Sequence, residues 1–166
     1  MDFICWTDNF SLLCSAIKRA GYVRFFGGVH TDDVVTFYAP TNVGMLEAGL
    51  DLEKIEAMDD LKLRRILKSH IMEGAILAER LDCDTYYESM NDESSLGEQE
   101  LLYLECHEIE ETKTKTISGF YNDNLNLPVL MKPNDLPFCN GFIQPINQVI
   151  RSEVTSGLTN NQYRKI

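Results

Sequence analysis

Apolar positions in the first part of the chain follow a helical period. Phe10, Leu13, Ile17 and Ala20 line one face, with Leu12 and Ala16 widening it, so a helix is predicted over residues 10–20. Asp8 or Asn9 stands where an N-cap belongs, and Gly21 where the helix should stop. Residues 22–26 read as a short helix or an extended piece leading to a turn at Gly27-Gly28. The β-branched and aromatic run 34–38 reads as a strand that Pro40 ends. Thr41 is placed to cap a short helix over 42–46, and a helical turn follows at 53–58. Asp59 caps a stronger helix over 60–69. Its stripe is Leu63, Ile66 and Leu67, with Lys62, Arg64, Arg65 and Lys68 on the wet side.

Beyond this point the period shortens. His70-Ile71-Met72 resumes extended structure and Gly74 marks a turn. Residues 82–98 are polar and irregular apart from Tyr86-Tyr87, while 101–109 and 114–120 read as strands. Residues 121–135, with many Asn and Asp and two prolines, read as a loop around Val129-Leu130-Met131. Phe142-Ile143 and residues 146–150 form a last pair of short strands around Pro145. The polar tail from Ser152 is expected to fray. Helices gather in the first half and strands in the second, an α+β or barrel-like layout rather than a repeating βαβ one.

At 166 residues the chain suits a single domain, 1–166, with a core over about 8–151 and the tail at 152–166. No apolar run is long enough to cross a bilayer. The start, Met1-Asp2-Phe3-Ile4-Cys5-Trp6, lacks the basic and apolar regions of a signal peptide. The expectation is that the protein stays inside the cell or that a leader is missing.

The net charge of -11 argues against nucleic acid or an anionic membrane as partner. Residues 82–111 carry 11 acids and no Lys or Arg. Such a run is a solvated face, or a docking face for a basic partner. Five cysteines, Cys5, Cys14, Cys83, Cys106 and Cys139, make an odd set with no CxxC spacing. They read as buried small hydrophobes rather than a disulfide framework or zinc site, which leans towards a reducing compartment.

Four segments, in this order, resemble a fasciclin-type (FAS1) domain. They are Phe10-Ser11-Leu12-Leu13-Cys14-Ser15-Ala16-Ile17-Lys18-Arg19-Ala20-Gly21; Thr36-Phe37-Tyr38-Ala39-Pro40-Thr41-Asn42; Leu67-Lys68-Ser69-His70-Ile71-Met72-Glu73-Gly74; and Asn140-Gly141-Phe142-Ile143-Gln144-Pro145-Ile146-Asn147-Gln148-Val149-Ile150. The resemblance implies a twisted, partly barrel-like β-sheet assembly flanked by helices. It also implies a role in cell adhesion or the extracellular matrix, binding proteins, surfaces or glycans, usually without catalysis. Tyr38 stands where the family more often has Phe, and Met45 or Leu46 takes the place of a Phe anchor. Ser69 replaces the tyrosine that often precedes His70, which puts integrin-type binding in doubt. Gln144 and Asn147 stand where His and Asp are common.

The chemistry-bearing residues have structural readings beside the functional ones. The 36–42 block delivers a core Phe37, and its Thr41 or Asn42 can satisfy free helix N–H groups. His70 reads as a partly buried residue with one ring nitrogen satisfied. His30 beside Asp32 and Asp33 reads as a solvated turn rather than a metal pair. His107 among Glu105, Glu108, Glu110 and Glu111 has no second histidine, so HExxH is absent. Glu105, His107 and Ile109 share a strand face and make at best a weak cation patch. Asn91, Asp92 and Glu93 lack the register of a calcium loop. Cys106 and His107 would point to opposite faces of a strand, which argues against a dyad. No GxSxG, phosphate loop or dinucleotide fingerprint appears. Asn9-Phe10-Ser11 is a formal glycosylation sequon with Phe10 expected to point inward.

The resulting expectation is a non-catalytic binding module with no catalytic, cofactor-binding or metal residues. Its partner would be a protein or a cell-surface or matrix component, with residues 82–111 as the docking face where charge guides binding. The alternative is a soluble carrier of an elongated hydrophobic ligand such as a carotenoid, with Tyr22, Phe25, Phe26, Tyr86 and Tyr87 lining a groove.

Overall fold

The computed structural model describes residues 2–27, 33–91, 100–109, 112–119 and 127–151. Predicted features at Gly28, His30, Asp32, Asp92, Glu93, Glu110, Glu111 and the tail from Ser152 lie outside these residues.

Three layers stack on one another. Helices α1 (Asp2–Trp6), α2 (Ser11–Arg19), α3 (Val23–Phe26), α4 (Asn42–Glu47), α5 (Leu52–Ala57) and α6 (Asp60–Lys68) make the first. A four-stranded sheet, ordered β2-β1-β7-β6, makes the second, from β1 (Val35–Pro40), β2 (Ile71–Glu73), β6 (Leu136–Phe138) and β7 (Gly141–Ile146). The third is a meander of β3 (Thr85–Glu88), β4 (Leu101–Ile109) and β5 (Thr112–Gly119). This is the mixed α+β layout that the distribution of elements implies.

Strand β1 is covered on both faces, and all six of its residues are buried. The alternation of strand side chains then feeds two cores. Val35, Phe37 and Ala39 face the helices and join Leu13, Ile17, Leu63 and Ile66. Tyr38 faces the meander and joins Met72, Leu102, Leu104, Ile117 and Ile146. Strand β7 runs parallel to β1 from Val35↔Gly141 to Pro40↔Ile146, so the second and last of the four family-like segments are adjacent in the sheet.

Several local expectations are revised. Pro145 does not separate two short strands; it lies inside β7. Its carbonyl accepts from the Met131 N–H, so its ring nitrogen faces that side and the ladder to β1 loses no donor. Helix α2 is not capped by Asp8 or Asn9. A 3₁₀ turn over Asp8–Phe10 precedes it, and its N-cap Phe10 makes no side-chain cap bond. The cap comes from elsewhere in the chain: Asn42 Oδ1 accepts from Leu12 N at 3.0 Å. The short elements α1, β3 and β6 were not anticipated as elements from the pattern of residues.

The cysteine expectation is overturned. Cys5 is bonded to Cys14 and Cys83 to Cys106, leaving Cys139 free and exposed on the β6–β7 turn. Helices α1 and α2 pack together and bring the Cα atoms of the first pair to 5.1 Å. The second pair follows from register. Thr85 faces Leu104, so two residues further along the antiparallel pair Cys83 falls opposite Cys106, with Cα atoms 5.4 Å apart.

Candidate functional site

The 36–42 block, the most specific of the sequence motifs, does structural work at every polar atom. Thr36 Oγ1 donates to Gly74 O and accepts from Ile76 N. Thr41 caps α4 by accepting from Gly44 N. Asn42 Nδ2 donates to Asp8 O and Ser11 Oγ while its Oδ1 caps α2. One Thr-Asn pair thus caps two helices. Met45, not Leu46, is the apolar anchor: Met45 is buried and Leu46 exposed. Gly44 lets α4 approach the chain after β7. A Cβ there would lie 2.3 Å from Asn147 O and 2.6 Å from Gln148 Cα.

His70 is wholly buried, and both ring nitrogens are engaged. Ile150 N–H donates to Nε2 at 2.9 Å, so Nδ1 carries the proton and donates to Ile66 O at 2.7 Å. Burial pushes its pKa down to about 4, against a smaller upward pull from the Ile66 carbonyl. The ring is a neutral clasp between the end of α6 and the closing segment after β7. The adjoining cavity of about 10 Å³ is apolar, lined by Leu13, Met45, Leu63, Ile66 and Val149 among others, and has room for about one water.

Ser69, in the family's tyrosine position, turns the other way. Its hydroxyl donates to Glu100 Oε2 at 2.6 Å and accepts from Asn91 Nδ2, which also donates to the same carboxylate oxygen. Backbone bonds from Ser89 N to Glu100 O and from Glu100 N to Asn91 O close the chain at this point. Glu100 is therefore not part of a free acidic docking face: only 9% of it is exposed. Gln144 and Asn147 are likewise internal ties. Gln144 exchanges hydrogen bonds with Asp135, and Asn147 Oδ1 accepts from Val129 N.

The five aromatics of the carrier alternative do not converge. Phe26 is core, tilted against Phe37 with ring centroids 4.5 Å apart, and Tyr22 and Phe25 pack beside it. Tyr87 packs on the other core and holds Asp82 N, while Tyr86 points outward from the meander. Cys106 is disulfide-bonded and His107 lies on the opposite face, 3.6 Å from Glu105 Oε2. Among the described residues, no three His, Cys, Asp or Glu residues group as a metal site would require.

The outward face of β3–β4, expected from its acids to be a docking face and from Tyr86 to line a groove, carries exposed aromatic area beside the acids. Tyr86 and Tyr103 are cross-strand partners, with ring centroids 4.7 Å apart. Tyr86 is 64% exposed. Tyr103 OH reaches Asp84 Oδ1 at 3.5 Å, and its pKa is raised by desolvation and then by Asp84 and Glu105. The alternation of Tyr86 and Tyr87 in the sequence was the available signal for an exposed aromatic on this strand.

Comparison with known proteins matches this architecture. The fasciclin domain family model fits residues 8–152, so the chain belongs to the fasciclin family. Among solved structures, it resembles the FAS1 domain pair from the insect cell adhesion molecule Fasciclin I, with 16% identity and a TM-score of 0.59. The match covers 84% of this chain and 44% of that one, so this chain spans less than half the length of the domain pair. A search of curated protein sequences finds no match. Fasciclin domains generally act as interaction modules and are typically non-catalytic. Among the described residues, no helix is long and apolar enough to cross a membrane.

Proposed function

We propose that this domain is a non-catalytic adhesion or matrix-interaction module. It works in an oxidising, extracellular or cell-surface setting and binds a protein or surface component with a basic face. Membership of the fasciclin family over nearly the whole chain carries the reading. Two further observations support it. Four of the five cysteines are paired, as expected of a protein matured outside the reducing cytosol. His70, Asn42 and Gln144 are consumed by internal hydrogen bonds, and Cys106 by a disulfide, so these groups hold the fold together.

The experiment is capture. Immobilised domain is exposed to solubilised surface and matrix proteins from its source, with urea-unfolded, refolding-blocked domain as control. A retained partner that elutes with salt supports the reading. Equal retention on both surfaces counts against it.

A further inference from the structure

We propose that the outward face of β3–β4 is a docking site for an extended polypeptide segment with Arg or Lys at alternate positions, centred on the Tyr86–Tyr103 pair. The proposal rests on the interaction-module reading above and specifies its surface and partner chemistry.

Along this face the cross-strand rows are Glu88 with Leu101, then Tyr86 with Tyr103. On the other side, Asp84, in the turn before β3, has its carboxylate 3.5 Å from Tyr103 OH, and Glu105 follows Tyr103 by two residues on the same strand face. The two tyrosine rings are thus flanked on each side by carboxylate. Successive rows are about 7 Å apart, twice the strand rise, which is also the spacing of alternate side chains in an extended peptide. A peptide laid along the strands would set one cation over the tyrosines and its neighbours against the acids.

The tyrosines give the site its character. They form an exposed π surface between negative groups, which suits a guanidinium better than an apolar side chain. Leu101, 45% exposed, adds apolar area beneath the stem of a long basic residue. Lys115 does not compete for these acids, because it turns inward and donates to Ala78 O and Leu81 O. The chain's net charge of -11 attracts such a segment from a distance.

The test titrates the whole domain with a synthetic peptide of alternating Arg and Ser, at about 20 mM and about 300 mM salt. The comparison probes are the Glu/Ser counterpart and a neutral oligosaccharide. The expected result is binding of the Arg peptide alone, weakened by salt, with amide shifts confined to residues 84–88 and 101–107. Tyr86→Ala should lose about tenfold in affinity and Glu88→Gln a smaller factor, while Tyr86→Phe keeps the affinity within about twofold. Trp6→Ala, on the distant α1, should have no effect. No Arg-peptide binding, binding unaffected by Tyr86→Ala, shifts elsewhere, or preference for the oligosaccharide would each overturn the proposal. If a partner is captured as above while the peptide does not bind, only this face is wrong. If the peptide binds here and no partner is captured, the adhesion role falls and the face stands.

Discussion

Protonating His70 should loosen the domain, and the size of the effect follows from its two hydrogen bonds. Nε2 accepts from Ile150 N–H, so a proton added there faces a donor, and the wholly buried ring has no water to solvate the charge. The folded-state pKa is about 4 against an ordinary value of 6.5. Above pH 6.5 the ring is neutral in both states and costs nothing. Below it the unfolded chain takes up a proton that the folded chain refuses, so stability falls from about pH 6.5 to about pH 4 and then levels off. At pH 4.5 the loss is two units at about 1.4 kcal/mol each, or roughly 2–3 kcal/mol.

Urea unfolding at pH 7.5 and pH 4.5 measures it, with His70→Asn as reference because the acidic residues titrate in both proteins. At pH 7.5 the variant keeps a donor near Ile66 O but leaves Ile150 N–H without its acceptor, and should be about 1–3 kcal/mol less stable. At pH 4.5 that gap should close or reverse. A gap that stays the same at both pH values would refute the hydrogen-bond assignment.

Gly44→Ala forces a Cβ against the backbone at Asn147 and Gln148, and should destabilise by about 3 kcal/mol or prevent folding, as read by thermal unfolding. Asn42→Ala removes the remote cap of α2 and two further bonds, and should cost about 2–3 kcal/mol in chemical denaturation, where the exposed Val43→Ala beside it should cost little. Denatured without reductant, the protein should show one free thiol, from Cys139. Joint replacement of Cys83 and Cys106 by Ala should cost about 3 kcal/mol, as expected for releasing a loop of this length.

What the chain revealed on reading was whatever neighbouring residues encode. The strand expected at 34–38, the Asp59 cap and the apolar stripe of α6 depend on local pattern, and the structure has them there, the strand running Val35–Pro40. Capping of α2 was misread because the acceptor, Asn42, comes from 30 residues away and is brought there only by packing. The disulfides were missed for a related reason: Cys83 and Cys106 meet through the β3–β4 register, and no spacing rule along the chain contains it. Pro145 looked like a break because its missing donor was counted without knowing which edge of β7 it faced. At the candidate surface, the acids of 82–111 were visible as composition. Their separation into a buried Glu100 and exposed residues beside Tyr86 depended on the fold. Ser69 shows the same limit: its departure from the family pattern was plain, but its partner Glu100 lies across the structure.

If this domain acts in adhesion, cells should hold to a layer coated with it. Cells from the protein's source are plated on the folded domain, on the irreversibly unfolded domain and on an inert protein of similar negative charge. Attachment to the folded domain should stand well above both controls and fall with added salt and with Tyr86→Ala. Attachment no greater than on the unfolded domain would contradict a role in adhesion.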